Sequence, residues 1–548
     1  MATNSTAPAR QVPTPAQRRL AVALQTLHTL QEGGTHVFHT SQFSRLGREA
    51  LLQAGYLQPV IQGWYMSASP AAKAGDTTPW IAAMKDFIAA YCDARFGTEW
   101  CVSADYSLRL HAGTTVLPKQ VVVHAPQGKN GVVALPDGFS LMDYQARDFP
   151  SADRRDIAGG VRTMTLEQAL LKVPENFFRA SPQDAQIALL SITDASELSR
   201  LLADGNHGTI AARVAGAFLA VGRDAIANDI VGFMRALGNQ VTVVNPFSAP
   251  PPIVLGGRIE SPHVSRLRLM WSAMRGDVAS SFPEEPGLPK DVPAFMKAVE
   301  DVYVTDAYHS LSIEGYRVTP ELIRRVASGE WNDERHDEDR RSRDAMAARG
   351  YWLAHNEVNQ SILQIFKGAN PGDVLKRDHG GWFRAMFSPS VTAGVLAAAD
   401  LAGYRGHQVY IRNAAHVPPS REAVRDMMPV FFELLRDEPL ASVRAVLGHF
   451  MFVFIHPYMD GNGRIGRFIM NSMLASGGFP WTVLRLEDRD RYMDALNSAS
   501  RDGDIRPFAT FVAQSLSNAT DANTDGQKTR DVSREESEEE DNAARPRG

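Results

Sequence analysis

Between Val446 and Ile469 the chain spaces its apolar residues in a way that admits one local architecture. Val446, Leu447, Phe450, Val453 and Phe454 recur at i, i+3, i+4 spacing, the mark of a buried helix face. The run meets His456-Pro457, and a proline pushes the residue before it out of the α region, so the helix stops there. Gly461-Asn462-Gly463 makes a turn, after which Ile465, Phe468 and Ile469 resume the helical period. The segment reads as helix, loop, helix, with the loop's amides at the N-terminus of the second helix. Those N–H groups lack intrahelical acceptors and can converge on one anion.

The side chains of the loop suit such an anion. Arg464 and Arg467 lie one turn apart, point the same way and can grip further phosphate oxygens. Asp460, just before the turn, can hold the Mg²⁺ that accompanies a polyphosphate. His456, at the other end, is placed to take a proton from an incoming hydroxyl. Together these are the parts of a nucleotide-phosphate transfer site.

The string His456-Pro457-Tyr458-Met459-Asp460-Gly461-Asn462-Gly463-Arg464-Ile465-Gly466-Arg467 resembles the signature of the Fic family, H-x-F-x-(D/E)-G-N-G-R-x-x-R. It departs at Tyr458, where Phe is usual; Tyr keeps the ring, so the packing role is expected to survive if the hydroxyl finds a partner. The resemblance implies a protein adenylyltransferase that moves AMP from ATP to a Tyr, Thr or Ser hydroxyl of a protein, with self-modification expected. It implies His456 as the base and Asp460 as the Mg²⁺ ligand. Gly461, Asn462 and Gly463 would seat the phosphates through backbone and amide donors, Arg464 would hold the β-phosphate and Arg467 the γ-phosphate. The family's kinase-like branch carries Lys in place of the second glycine, so Gly463 speaks for AMP transfer.

Upstream lies Ser310-Leu311-Ser312-Ile313-Glu314-Gly315. On its residues alone this is as well a solvated helix end as a site. In the family, (S/T)-x-x-x-E-(G/N) is an inhibitory helix, and the resemblance places Ser310, Glu314 and Gly315 in it, near 306–315, with Glu314 against Arg467. A carboxylate there takes the guanidinium fork the γ-phosphate would use. Since this element precedes the signature, the arrangement resembles the N-terminally autoinhibited class. Between the two, Gly403 to Arg412, with Val409 and Ile411 alternating, reads as a short hairpin. The resemblance makes residues 404–412 a flap on which a target protein docks by strand addition.

At 548 residues the chain exceeds one core, and three domains are expected. The net charge of −5 gives no global pull toward nucleic acid or membrane. Cys92 and Cys101 cannot make a disulfide framework, and no long apolar run suggests a membrane span, so a cytoplasmic setting is expected. Composition places disordered termini at 1–17 and, acidic, at 517–548, with a Pro-rich linker at 248–254. The expected fold is mainly α: an all-helical Fic core over 255–516 with a short β-hairpin flap, preceded by a winged-helix-like α+β region.

That N-terminal region is expected as a winged helix over 18–100, then an α+β stretch over 101–247 in which no chemistry is legible. Leu20, Leu24, Leu27 and Leu30 make a first helix, Phe38 to Phe43 a short second, the run from Arg45 to Leu57 a third stopped by Gly55, and Val60 to Met66 the wing. The order resembles AbiEi-type antitoxin regulators, and Arg45 and Arg48 could meet DNA phosphates. Residues 1–60 hold five arginines against two glutamates, a small surplus for a DNA reader, so docking to a protein ranks above it. Two further readings stay open: a Fic enzyme that uses another nucleotide or a phosphocholine donor, or removes AMP with Glu314 positioning water; and a transcriptional or toxin–antitoxin regulator that binds DNA.

Overall fold

Thr14 opens the first helix, α1 (Pro15–Gln31), through a capping box: its side chain accepts from the Gln17 N–H and the Gln17 side chain accepts from its own. Residues 14–17 of the stretch expected to be disordered at 1–17 therefore belong to this cap and helix. The computed structural model describes residues 14–519 apart from 33, 71–75, 206, 249–259, 330–341, 413 and 415. Residues 1–13, most of the expected 248–254 linker and the acidic stretch 520–548 lie outside the described residues.

The chain divides into two compact units, Met1–Ile259 with Tyr410–Val417, and Glu260–Val409 with Pro418–Gly548, against the three domains expected. In the first, β1 (Val37–His39), α2 (Arg45–Gln53), β2 (Leu57–Ile61) and β3 (Trp64–Ser67) follow α1, and the sheet runs β1-β3-β2, all antiparallel. Helices α1 and α2 and the β2–β3 strand pair follow one another in the order expected from the sequence. The short helix expected over Phe38–Phe43 is instead the end of β1 and one 3₁₀ turn, Thr40–Gln42, because Phe38 is fully buried in strand pairing. Neither arginine on α2 stands free: Arg45 pairs with Glu49 at 3.1 Å, and Arg48 donates to Thr40 and lies over the Tyr65 ring.

The expected boundary at residue 100 cuts through a core. Helix α3 (Thr78–Phe96) buries Trp80, Met84 and Phe87 together with Val37 and Met66 of the wing sheet and with Val121, Val123 and Leu141 of the next sheet. That sheet, of β4 (Cys101–Val102), β5 (Gln120–Ala125), β6 (Gly131–Ala134) and β7 (Ser140–Gln145), has the order β4-β5-β7-β6 with β5 and β7 parallel. After α4 (Ala104–His111) and the hairpin of β8 (Arg155–Ala158) and β9 (Val161–Met164), six helices α5 to α10 complete the unit between Leu166 and Ala236. Thr165 caps the first of them by accepting from Gln168.

Among its described residues the second unit has helices and no strand. Its helices are α11 (Pro262–Ser281), α12 (Val292–Ile313), α13 (Pro320–Ala327), α14 (Arg343–Phe366), α15 (Pro371–Thr392), α16 (Arg421–Asp437), α17 (Ala441–Ile455), α18 (Asn462–Ala475), α19 (Arg489–Asp502) and α20 over 506–519. Residues 517–519 of the tail expected at 517–548 belong to α20. Helix α17 is buried on every side but Val453, so it forms the axis on which the others pack. Helices α14 and α15 cross so closely at Gly350 that a Cβ there would stand 1.8 Å from the Met386 carbonyl.

The hairpin expected at 404–412 does not form. No strand occurs in that stretch, and its backbone and side chains are engaged elsewhere. The Gln408 amide donates to Pro418 O at 2.7 Å. Tyr410–Val417 is grouped with the first unit, where the Val417 N–H donates to Thr115 O at 2.7 Å, His416 bridges Val116, and Arg412 pairs with Asp76 at 3.3 Å. The alternation of Val409 and Ile411 was too short to hold a hairpin against those bonds. No helix among the described residues is long and apolar enough to cross a membrane.

Candidate active site

Helix α17 ends on His456 in a left-handed conformation, φ 54° and ψ 59°. For a residue with a Cβ this costs about 1–2 kcal/mol and persists only where surrounding bonds enforce it. The His456 N–H still closes the helix onto Phe452 O at 2.9 Å, while the ring's Nδ1 lies 3.1 Å from Val453 O. A carbonyl only accepts, so Nδ1 carries the proton and Nε2 presents a lone pair. Burial and then the Arg405 cation press the imidazole's pKa down to about 4, against the Val453 carbonyl, Glu314 and Asp460, which raise it. The ring is neutral near pH 7, as a general base must be.

Tyr458 keeps the packing role of the usual Phe. It is 2% exposed and stacks on Phe383 with centroids 3.8 Å apart and planes 4° from parallel. Its hydroxyl comes out beside Gly380, where Arg384 also reaches. Asn462 grips the turn from inside: its Oδ1 accepts from the Tyr458 N–H at 2.9 Å and its Nδ2 donates to Tyr458 O at 2.8 Å. The side chain expected to offer an amide donor to phosphate is thus turned onto the loop's own backbone, leaving Asn462 its main-chain N–H at the helix N-terminus.

Gly461 begins α18 at φ 81°, and a Cβ there would press on Phe387 at 2.8 Å. Gly463 clears the space above the first turn: a Cβ on it would stand 2.3 Å from Glu314 Oε1. The same gap that admits an anion to the helix amides admits this carboxylate. Glu314 caps α12, with Gly315 following at φ 85°. A carboxylate at a helix C-terminus is disfavoured by the helix dipole, so something else must hold it. That is Arg467, whose Nη2 donates to Glu314 Oε1 at 2.7 Å and to Ser310 O at 3.0 Å, while Nε donates to Ser310 Oγ at 2.8 Å. The remaining nitrogen, Nη1, is buried and makes no well-aligned hydrogen bond among the described residues, while the Tyr492 hydroxyl also lies against the guanidinium.

Residues 377–474 match the Fic/DOC family. This chain carries a Fic domain. A protein named protein adenylyltransferase Fic from Nematostella vectensis is 31% identical over 244 residues, 41% of this chain and 50% of its own length. Its namesake from Drosophila yakuba is 29% identical over 256 residues, 45% of this chain and 46% of its own. The chain spans about half the length of the curated relatives it matches. Among solved structures, Fic-1 (residues 134–508) from C. elegans is similar with a TM-score of 0.36 at 18% identity, covering 66% of this chain and 92% of that one. A Fic domain containing signaling protein from Bacteroides thetaiotaomicron gives a TM-score of 0.34 at 17% identity, covering 46% and 93%.

The Fic domain treats its two signature arginines differently. Arg464, 1% exposed, lies 5.1 Å from the ring centroids of both Tyr316 and Phe387 and 3.3 Å from Asp460 Oδ1, with its Nε unpartnered. Asp460 is largely exposed, with Oδ1 also accepting from the Gly461 N–H. One carboxylate beside a phosphate cradle fits Mg²⁺, which takes most of its remaining ligands from substrate and water. Among the described residues no cluster of three or more His, Cys, Asp or Glu is present.

Sequence reasoning missed the support beneath Arg467. Asp306, one turn before Ser310 on α12, is buried, and accepts from Tyr351 Oη at 2.6 Å. Burial raises its pKa to about 6, although Tyr351 and the nearby Arg467 lower it. The spacing Asp306, Ser310, Glu314 is an i, i+4, i+8 stripe, and that stripe was the available signal. Tyr316, Phe387 and Arg405 gave none, since each acts through tertiary contact alone.

Proposed function

We propose that the protein is a protein adenylyltransferase, transferring AMP from ATP to the hydroxyl of a Tyr, Thr or Ser side chain of a protein, and that Glu314 restrains it. The observation that carries this reading is the Glu314–Arg467 pair at 2.7 Å, set over Gly463 at the N-terminus of α18. A carboxylate there occupies the fork, and part of the space, that a terminal phosphate requires.

His456 Nε2 takes the proton of the target hydroxyl. That oxygen bonds to the α-phosphorus of ATP as the bond from the α-phosphorus to the bridging oxygen breaks, and pyrophosphate leaves. The amides of Asn462 and Gly463 and the guanidiniums of Arg464 and Arg467 face charge that gathers on the phosphates in this displacement. Asp460 would hold Mg²⁺, which when bound neutralises phosphate charge and fixes the phosphate orientation. Arg467 serves the γ-phosphate once Glu314 has swung away. The first unit serves as a docking module, a role supported by the pairing of Arg45 and Arg48 within the unit rather than toward a phosphate backbone.

Incubation of the full-length protein and its Glu314→Gly variant with ATP, GTP, UTP and CDP-choline, read by intact mass, tests the reading. Addition of one AMP mass from ATP, abolished by His456→Ala, supports it. Addition from another donor would move the chemistry to that donor. Loss of AMP from a pre-modified protein, dependent on Glu314, would make the enzyme a remover of AMP.

A further inference from the structure

Arg405 is a buried cation with an unusual set of partners. It is 3% exposed, and among the described residues its guanidinium meets backbone oxygens rather than a carboxylate. Nε donates to His456 O at 2.8 Å, Nη1 to His407 O at 2.9 Å, and Nη2 to Pro419 O. Its own N–H donates to Pro457 O at 2.9 Å. One residue therefore engages two successive carbonyls, those of His456 and Pro457.

Stability is a poor reason for this arrangement, since burial outweighs the Glu422 carboxylate that acts on Arg405 without a hydrogen bond to it, and a buried charge so placed is costly even when its donors are satisfied. The partners suggest a geometric reason. His456 combines a left-handed backbone with a following proline, a conformation that needs outside restraint. Its N–H is fixed by Phe452 O on the helix side; on the loop side the restraint is Arg405. Rotation of the 456–457 peptides would break the Val453–Nδ1 contact that sets the tautomer and would turn Nε2 elsewhere. The same planar fork reaches His407 and Pro419, so the two ends of the intervening segment are tied to the histidine's backbone.

We propose that Arg405 is the positioning residue for His456, holding the His456 and Pro457 carbonyls so that the imidazole presents Nε2 to the attacking hydroxyl. This rests on His456 acting as the base of the adenylyl transfer proposed above. Arg405 touches neither nucleotide cradle nor hydroxyl; it acts through the histidine's main chain, as supporting residues behind a reactive group do.

The experiment places Arg405→Met and Arg405→Lys in full-length Glu314→Gly protein. It reads kcat and the KM for ATP in self-modification, thermal midpoint, and amide hydrogen exchange of peptides covering 452–462. Arg405→Met is expected to lower kcat by about 10- to 100-fold, the scale of a small misplacement at a reacting group, with the KM for ATP within about twofold. Exchange at 456–460 should speed up while the rest of α18 is unchanged. Arg405→Lys keeps the charge but loses the fork, and should recover part of kcat. A folded Arg405→Met protein with undiminished kcat, or with exchange at 456–460 unaltered, overturns the proposal, as does a rise in the KM for ATP that accounts for the whole loss. If Arg405→Met does not fold, Arg405→Lys decides by the same split: a fall in kcat alone supports the role, and full kcat refutes it. If the Glu314→Gly parent adds no AMP, the adenylyltransferase reading fails, and the exchange result alone decides whether Arg405 holds the turn.

Discussion

Arg45 and Arg48 stand one turn apart on α2, as Arg464 and Arg467 do on α18, yet the two pairs have opposite chemistry. Arg45 has an 83% exposed side chain joined to Glu49 on the same helix face, an ordinary solvated pair. Arg467 is 2% exposed, is held by Ser310 and Glu314 from a distant helix, and has the Tyr492 hydroxyl against its guanidinium. Spacing is the same in both; desolvation and the carboxylate it already holds mark the second as a place where an anion would be gripped. A guanidinium that solvent already satisfies gains little from a phosphate, whereas a buried one gains a great deal.

If that contrast reflects catalysis, the largest effects belong to the buried loop. In the Glu314→Gly background, His456→Ala is expected to cut AMP transfer by about 10²–10⁴-fold, the usual contribution of a general base. Intact-mass rates, with circular dichroism to show the fold retained, make the measurement. Wild-type rates in a folded variant would remove His456 from the mechanism.

Glu314→Gly comes next. Its pair with Arg467 is charge-assisted and half screened from solvent, a class that contributes about 1.5–3 kcal/mol. Freeing the fork should raise transfer by about ten- to a hundredfold. Arg467→Ala should give no such gain, because it removes the γ-phosphate contact together with the restraint. Equal activation by both substitutions would mean that Arg467 acts only as a latch.

Much of this site was legible in the sequence because it is local: helix period, proline stop, glycine turn and two arginines lie in one continuous run. The Ser310 and Glu314 element was legible only through family resemblance, since its residues say nothing of Arg467 by themselves. Arg405, Tyr316 and Phe387 were illegible for a physical reason. Their roles come from which backbone or ring they meet after folding, and no period in the sequence records that. The hairpin at 404–412 failed likewise: Val409 and Ile411 carry strand preference, but the Gln408–Pro418 and Thr115–Val417 bonds decide where that backbone goes. In the first unit the order of the first helices and strands was readable, whereas the core they share with the next sheet was not.

Acid should separate the two kinds of buried group. His449 and His355, 0% and 3% exposed, have pKa values lowered by burial to about 3 and about 4. A histidine whose folded pKa lies below its unfolded value of about 6.5 binds its proton more readily when unfolded. Stability is therefore full above pH 6.5 and falls as pH drops toward 4, by about 3 kcal/mol per histidine at most. Denaturant midpoints at pH 7, 5.5 and 4.5 should decline, and His449→Gln should flatten the slope. Transfer itself should stay level from pH 8 to 6 and fall only toward pH 4, where His456 protonates. A midpoint of activity near 6.5 would show that His456 is solvated rather than pressed neutral.

The smallest effects should come from Arg45, exposed, and Arg48, half-buried, and they test the other half of the contrast. Arg45→Ala removes a solvated i,i+4 pair of about 0.3–0.5 kcal/mol. Arg48→Ala removes the bond to Thr40 and the contact with Tyr65, whose ring centroid lies 5.7 Å from the guanidinium carbon, for roughly 1 kcal/mol. Neither should alter AMP transfer by more than about twofold, since a surface change of this size leaves a distant reacting group where it was. The decisive measurement is a duplex DNA titration of the full-length protein at several salt concentrations, alongside both variants. Because phosphate neutralisation releases counterions, a DNA reader loses affinity steeply with salt, and each lost arginine lessens that slope. Flat, weak binding that ignores both substitutions would leave α2 as a self-paired face suited to protein docking. Binding that falls with salt and with Arg45→Ala would show that the Glu49 pair opens to admit phosphate, and the contrast between the two arginine pairs would then be one of degree.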